Sequence, residues 1–141
     1  MNEFFKQQTI LPTDTFPDIL VKMCSAKGRD VFINYAIFKL IASQTTYERI
    51  LSHVFEIVKQ TAKIYGTVIA RLYMKTLTIA DLDRHKPFLI NAARRLNDEL
   101  PDTLDACYIY KTPFVFAQIY NLFASIAIDK ETREKVKLTS E

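Results

Sequence analysis

The sequence predicts an α/β fold, a mainly parallel sheet with crossover helices, one of them apolar nearly all round. Three observations carry that reading. Runs rich in β-branched and aromatic residues, Asp30–Tyr35, Thr67–Met74 and Cys107–Lys111, alternate with segments that are apolar at helical spacing. The order is β-α-β-α-β-α, with Val136–Leu138 as a last strand, and such alternation argues for right-handed crossovers between parallel strands. The chain has 141 residues, 49% hydrophobic and 25% charged, which favours one globular domain able to bury roughly 68–70% of its unfolded surface.

Residues 1–27 read as an irregular N-terminal arm broken by Pro12 and Pro17, with one helical turn at Asp18–Cys24. Gly28 punctuates, and residues 28–141 form the domain. The Asp30–Tyr35 strand comes first. Thr45 and Glu48 have the spacing of a capping box, so a helix starts there. Ile50, Leu51, Val54, Phe55, Val58, Ala62 and Tyr65 give it one apolar face, and Gly66 is placed to end it in a left-handed conformation. The second strand, Thr67–Met74, contains Arg71, which must lie at an edge, reach a rim or face a polar partner. A loop from Lys75 to His85 carries a short capped turn at Thr78-x-x-Asp81. Pro87 suits the first position of the next helix, where a missing amide costs nothing. That helix buries Phe88, Leu89, Ala92, Ala93 and Leu96, and Pro101 stops it. The third strand, Cys107–Lys111, runs into Thr112-Pro113 and then into the apolar helix Phe116–Ile128. A helix apolar nearly all round needs protein on both sides or something greasy to cover. A charged turn, Asp129 to Lys135, closes it.

Composition excludes several functions. Two glycines, Gly28 and Gly66, cannot build a phosphate-binding loop or a dinucleotide fingerprint, which need several at short spacing. His53 and His85 have no metal-ligand spacing with each other or with a cysteine, and each reads as a surface or cap residue. Cys24 and Cys107 make no disulfide framework, and Cys107 reads as a buried strand residue rather than a nucleophile. No constellation supports an enzyme or a metal site. A net charge of +3 is too weak for duplex nucleic acid but permits contact with an anionic membrane. Isolated cysteines and the absence of a basic-then-apolar leader predict a cytoplasmic protein. The longest apolar stretch, Phe114–Ile128, is too short to span a bilayer and holds Gln118 and Asn121. Lys86, Arg94 and Arg95 form either a solvated basic face or a membrane-facing one. Phe and Tyr number 10 and 7 with no Trp, so they either fill an ordinary core or line a cavity. By spacing alone, Thr132 and Lys135 are either part of a capped surface turn or a phosphate site, since a hydroxyl and an ammonium both donate.

The block from Leu100 to Leu138 adds a resemblance. Pro101-Asp102 ends a helix, a strand enters Lys111-Thr112-Pro113, an apolar helix follows, and Asp129-x-x-Thr132-x-x-Lys135 closes it. This resembles the C-terminal half of the CRAL-TRIO lipid-binding domain, the fold of phosphatidylinositol-transfer proteins and of tocopherol and retinal carriers. The resemblance implies that Asp102, Thr132 and Lys135 contact an inositol-phosphate headgroup. It implies that Phe116, Tyr120, Phe123, Ile126 and Ile128 line the gate and pocket. Val68 and Ala70 stand where polar residues favour phosphatidylcholine, so phosphatidylinositol is the expected ligand, with no other cofactor. The expected function is non-enzymatic binding and transfer of phosphatidylinositol by a protein peripheral to membranes. The alternatives are a protein-interaction module derived from a lipid-binding fold, or a carrier of another hydrophobic ligand. The family's N-terminal helical lobe has no counterpart in the residues before the first strand, so this is a minimal version. Lys22, Lys27 or Arg29 would have to replace the lobe's basic headgroup contact, and the pocket would either stand wide open or be closed by self-association, a homodimer covering the faces the lobe leaves exposed.

Overall fold

The computed structural model describes residues 9–111, 121 and 130–139, with the side chains of Thr132 and Arg133 excepted. In chain order its elements are α1 (Phe16–Met23), β1 (Cys24–Lys27), β2 (Asp30–Asn34), α2 (Tyr35–Ile41), α3 (Tyr47–Tyr65), β3 (Val68–Tyr73), α4 (Ile79–Glu99), β4 (Leu104–Tyr110), α5 (Lys130–Glu134) and β5 (Val136–Thr139). The five strands form one sheet in the order of the chain; β1 pairs with β2 antiparallel and every other neighbour is parallel. This is the expected α/β architecture. Of the expected apolar helix only Asn121 is described, and Phe116, Tyr120, Phe123, Ile126 and Ile128, the expected gate and pocket residues, lie outside the described residues.

The segment expected to be an irregular arm carries two elements. Thr15 and Asp18 form a reciprocal capping box, Thr15 N–H to Asp18 Oδ2 at 2.9 Å and Asp18 N–H to Thr15 Oγ1 at 3.3 Å. Pro17 sits harmlessly in that first turn, and α1 forms. β1 then folds back on β2 through a two-residue turn in which Gly28 takes φ 62°, a conformation that two-residue hairpins favour. α2 was not foreseen either. Asn34 starts it by accepting the Ala36 amide at 3.0 Å.

The expected capping box at Thr45 and Glu48 does not form. α3 starts at Tyr47, and the hydroxyl of Thr46 donates to the Ile41 carbonyl at 2.7 Å, tying the preceding loop instead. Glu48 turns outward to Arg95 at 3.2 Å. Ile50, Leu51, Phe55 and Val58 are buried as the spacing predicts, but Tyr65 is exposed, because α3 runs past the layer it packs on. Gly66 ends it with the expected positive φ, 87°, though its ψ of −50° lies outside the left-handed helical region.

α4 is longer than predicted. Thr78 and Asp81 cap it with a complete box, so the helix absorbs most of the expected loop. Pro87 lies inside the helix rather than at its first position. Its buried residues are Asp81 and His85; Phe88, Leu89, Ala92, Ala93 and Leu96 are only half-buried.

In a strand successive side chains alternate between faces, so the register sorts the sheet into two surfaces. One carries the rows Val31–Ala70–Cys107–Val136 and Ile33–Leu72–Ile109–Leu138. This face packs with Leu20, Met23, Ile50, Val58, Leu82 and Phe88 of the helices into the main core. The other carries Phe32, Arg71, Tyr108 and Lys137 in one row and Asn34, Tyr73, Tyr110 and Thr139 in the next. α3 and α4 lie side by side on the core face, for Tyr47 and Phe88 stack at 5.0 Å and the Arg95 guanidinium sits 4.9 Å over the Phe55 ring.

Candidate functional site

Because β2 to β5 run parallel, their first residues share one edge of the sheet. Backbone bonds lace that edge: Ile69 N–H to Arg29 O at 3.0 Å, Val68 N–H to Thr103 O at 2.9 Å, and Cys107 N–H to Lys135 O at 2.9 Å. Arg29 adds side-chain bonds to Thr67 Oγ1 at 2.9 Å and Asp105 Oδ2 at 2.7 Å, joining the entries of three strands.

Two of the three expected headgroup residues come to this edge. Asp102 sits in the turn between α4 and β4 with φ 56°, a left-handed conformation that an aspartate tolerates better than most residues. It is exposed and makes no ion pair among the described residues. Lys135 stands immediately before β5, level with the residue preceding Cys107, and its side chain is 26% exposed. Four residues along one strand and one strand across place the two Cα atoms no more than roughly 14 Å apart. Lys135 Nζ lies 3.6 Å from Glu131 Oε1, so it is already held by a neighbour on α5. Thr132 lies on α5, but its side chain is outside the described residues. Chemically the edge offers an acceptor and an ammonium donor facing solvent.

Two further polar clusters were not read from the sequence. On the face away from the helices, Arg71 donates to Asp30 at 2.8 Å and to the Tyr110 hydroxyl, with its guanidinium 5.0 Å from the Tyr108 ring. Of the three roles open to Arg71, the polar partner is the one found. Burial alone would lower its pKa, but Asp30 and Tyr110 outweigh it and push the value up. The second cluster joins α2, α3 and α4. Asp81 is 1% exposed and receives Lys39 Nζ at 2.9 Å. His85, expected at the surface, is only 3% exposed, with Nδ1 bonded to the Tyr47 hydroxyl at 2.8 Å and its ring edge-on to Tyr35 and Phe38. Burial pushes the imidazole pKa down, only partly opposed by Asp81. His53 is half-buried against the Cys24 carbonyl at 2.9 Å. The Thr78-x-x-Asp81 spacing was the signal for this cluster, though it reports a cap rather than a buried charge.

Cys24 and Cys107 are buried, and desolvation raises both thiols to about 12, so neither is an available nucleophile. The basic triplet on α4 divides. Arg95 is tied to Glu99 at 2.7 Å and to Glu48, while Lys86 and Arg94 flank a shallow cleft of about 450 Å³. Among the described residues no group of three or more His, Cys, Asp or Glu could hold a metal ion, and no helix is long and apolar enough to cross a membrane.

A family model described as "CRAL/TRIO domain" matches residues 26–141. Among solved structures the chain is similar to one titled "Crystal structure of Sfh5", at 13% identity and a TM-score of 0.69. The match covers 97% of this chain and 55% of that one, so this chain spans about half its length. That likeness is one of fold. No curated protein matches the sequence.

Proposed function

The chain belongs to the CRAL/TRIO domain family of lipid carriers, and from that premise we propose that it binds phosphatidylinositol and transfers it between membranes, without covalent chemistry. The observation that carries the reading is the shared strand-entry edge of Asp102 and Lys135. At the entries of two adjacent parallel strands they offer the two contact types an inositol phosphate needs. The Asp102 carboxylate would accept from ring hydroxyls, and Lys135 would give up Glu131 to hold the phosphate, with the Thr132 hydroxyl as a further donor. Acyl chains would lie between the sheet and the gate helix carrying Phe116, Tyr120, Phe123, Ile126 and Ile128. Burial at about 0.8 kcal/mol per methylene would supply the affinity. The protein would act from the cytoplasm, at membrane surfaces, with residues 28–141 as the lipid-binding unit. An uncharged ligand would have no use for Asp102 and Lys135, which favours an inositol lipid over a retinoid or sterol.

Native mass spectrometry of the purified chain, followed by lipid identification in the extract, tests this. Bound phosphatidylinositol that is lost in Lys135→Ala, with the fold intact, is the expected result. A chain that carries no lipid and takes none from vesicles refutes the carrier reading. Normal loading of Lys135→Ala refutes the headgroup assignment alone.

A further inference from the structure

We propose that the strand-entry edge is also the surface that docks on an anionic bilayer, with Ile64 and Tyr65 as an inserted wedge and Lys27 and Lys63 against lipid phosphates. The inference deepens the lipid-carrier reading and rests on it.

α3 leads to the wedge. Its His53 is bonded to the carbonyl of Cys24, at the far end of β1 from the hairpin turn. From there to Tyr65 the helix advances roughly 18 Å. β1 itself, Cys24 to Lys27, covers only roughly 10 Å. The C-terminal turn of α3 therefore projects beyond the hairpin tip, on the edge that holds Asp102 and Lys135. There Ile64 is 74% exposed and Tyr65 52% exposed, side by side in sequence. Protruding aliphatic and tyrosine side chains suit the boundary between headgroups and acyl chains, where a phenol keeps its hydroxyl wet.

Two cations at this edge agree. Lys27 and Lys63 are exposed, and neither takes part in an ion pair among the described residues. Asp105 is engaged by Arg29 at 2.7 Å and Glu131 by Lys135 at 3.6 Å, whereas Asp98 and Asp102 are exposed at this edge without an ion pair among the described residues, so the attraction rests locally on Lys27 and Lys63. Two protruding side chains are far too little for a stable protein interface, which buries about 1,200 Å² or more. A bilayer needs only the wedge and the cations. The opposite edge of the sheet supplies an internal comparison: Leu40 and Ile79 are also exposed there, on separate elements and away from Asp102 and Lys135.

The chain has no tryptophan, so Tyr65→Trp creates a single fluorophore. In phosphatidylcholine vesicles containing phosphatidylserine, and free of phosphatidylinositol, its emission should shift blue and be quenched by brominated acyl chains. Ile79→Trp should do neither. By co-sedimentation, Ile64→Glu should weaken binding about tenfold or more. Lys27→Gln and Lys63→Gln should each weaken it about fivefold, and Leu40→Glu should leave it unchanged. Emission from the Tyr65→Trp variant that vesicles do not move, or binding lost in Leu40→Glu but kept in Ile64→Glu, overturns the proposal. A blue shift that follows protein concentration without vesicles also overturns it, assigning the wedge to a second copy. Lipid loading, read separately by mass spectrometry, separates the two ideas: docking that fails while loading persists sinks only the docking surface. Docking by the wedge in a chain that never loads lipid sinks only the carrier reading.

Discussion

Asp81→Asn keeps the shape of a buried side chain and removes its charge. The carboxylate is 1% exposed, receives Lys39 Nζ at 2.9 Å and accepts the Thr78 amide at 3.1 Å. Burial alone would raise its pKa, but Lys39, the Tyr35 hydroxyl and the Thr78 amide outweigh that and hold it at about 2, against 3.8 for a free aspartate. A gap of nearly two pH units, at about 1.4 kcal/mol each, is worth about 2–3 kcal/mol of folding stability at neutral pH. A depressed carboxylate contributes fully above its unfolded value and loses the contribution as pH falls through the folded one. About half of it should remain at pH 3 and under about a fifth at pH 2. Lys39 is 32% exposed and can turn to water in the variant, so no stranded buried charge adds to the loss. Urea unfolding of both proteins from pH 7 to pH 2 reads this directly. Asp81→Asn should be weaker by about 2–3 kcal/mol at pH 7, roughly a 10 °C fall in Tm, and should converge on the wild type at acid pH. A deficit under about 0.5 kcal/mol at pH 7, or one that persists unchanged to pH 2, would show that the charge does not anchor α4.

Three other outcomes are expected. Glu131→Gln frees Lys135 from its neighbour and should tighten phosphatidylinositol loading up to about fivefold in a vesicle competition assay; unchanged affinity would deny Lys135 a headgroup role. Gly66→Ala should cost about 1–2 kcal/mol by thermal unfolding, all of it from φ 87°, since an added Cβ meets nothing within 4 Å. His85→Phe should flatten the pH dependence of stability below the ordinary histidine value of about 6.5. The wild-type imidazole is held neutral by burial, so its contribution is present above that value and lost as pH falls through the lower folded pKa. Parallel acid titrations of the two proteins would contradict this.

The parallel strands were legible because β2, β3 and β4 are runs rich in β-branched and aromatic residues, bounded by Gly28, Gly66 and Pro101. β1 and α2 were not. Four residues, Cys-Ser-Ala-Lys, carry almost no strand propensity, and β1 exists because β2 supplies its ladder. α2 begins without any break after β2, so its composition blurs into the strand before it. Pro87 misled by suggesting a helix start, when the box at Thr78 and Asp81 had already supplied one, and a helix with tertiary support tolerates an interior proline. For the site, Asp102 and Lys135 followed from motif resemblance, and only the parallel register brought them to one edge. The burial of His85 and the exposure of Tyr65 depend on where helices end relative to the sheet, which spacing cannot report.

A sheet whose spatial order repeats the order of the chain never reverses direction. Open α/β sheets usually hold ligands in the crevice where neighbouring connections diverge to opposite faces, at a reversal of strand order. Here α3 and α4 follow one another across the same face, so the described strands contain no such crevice. The face of the described strands away from α3 and α4 is then a continuous floor, with no break for a cleft between diverging helices. That floor is broad and mixed, the rings of Phe32, Tyr73, Tyr108 and Tyr110 beside Asn34, Arg71 and Lys137, so it offers length and ring surface where a doubly wound sheet would offer a fixed cleft.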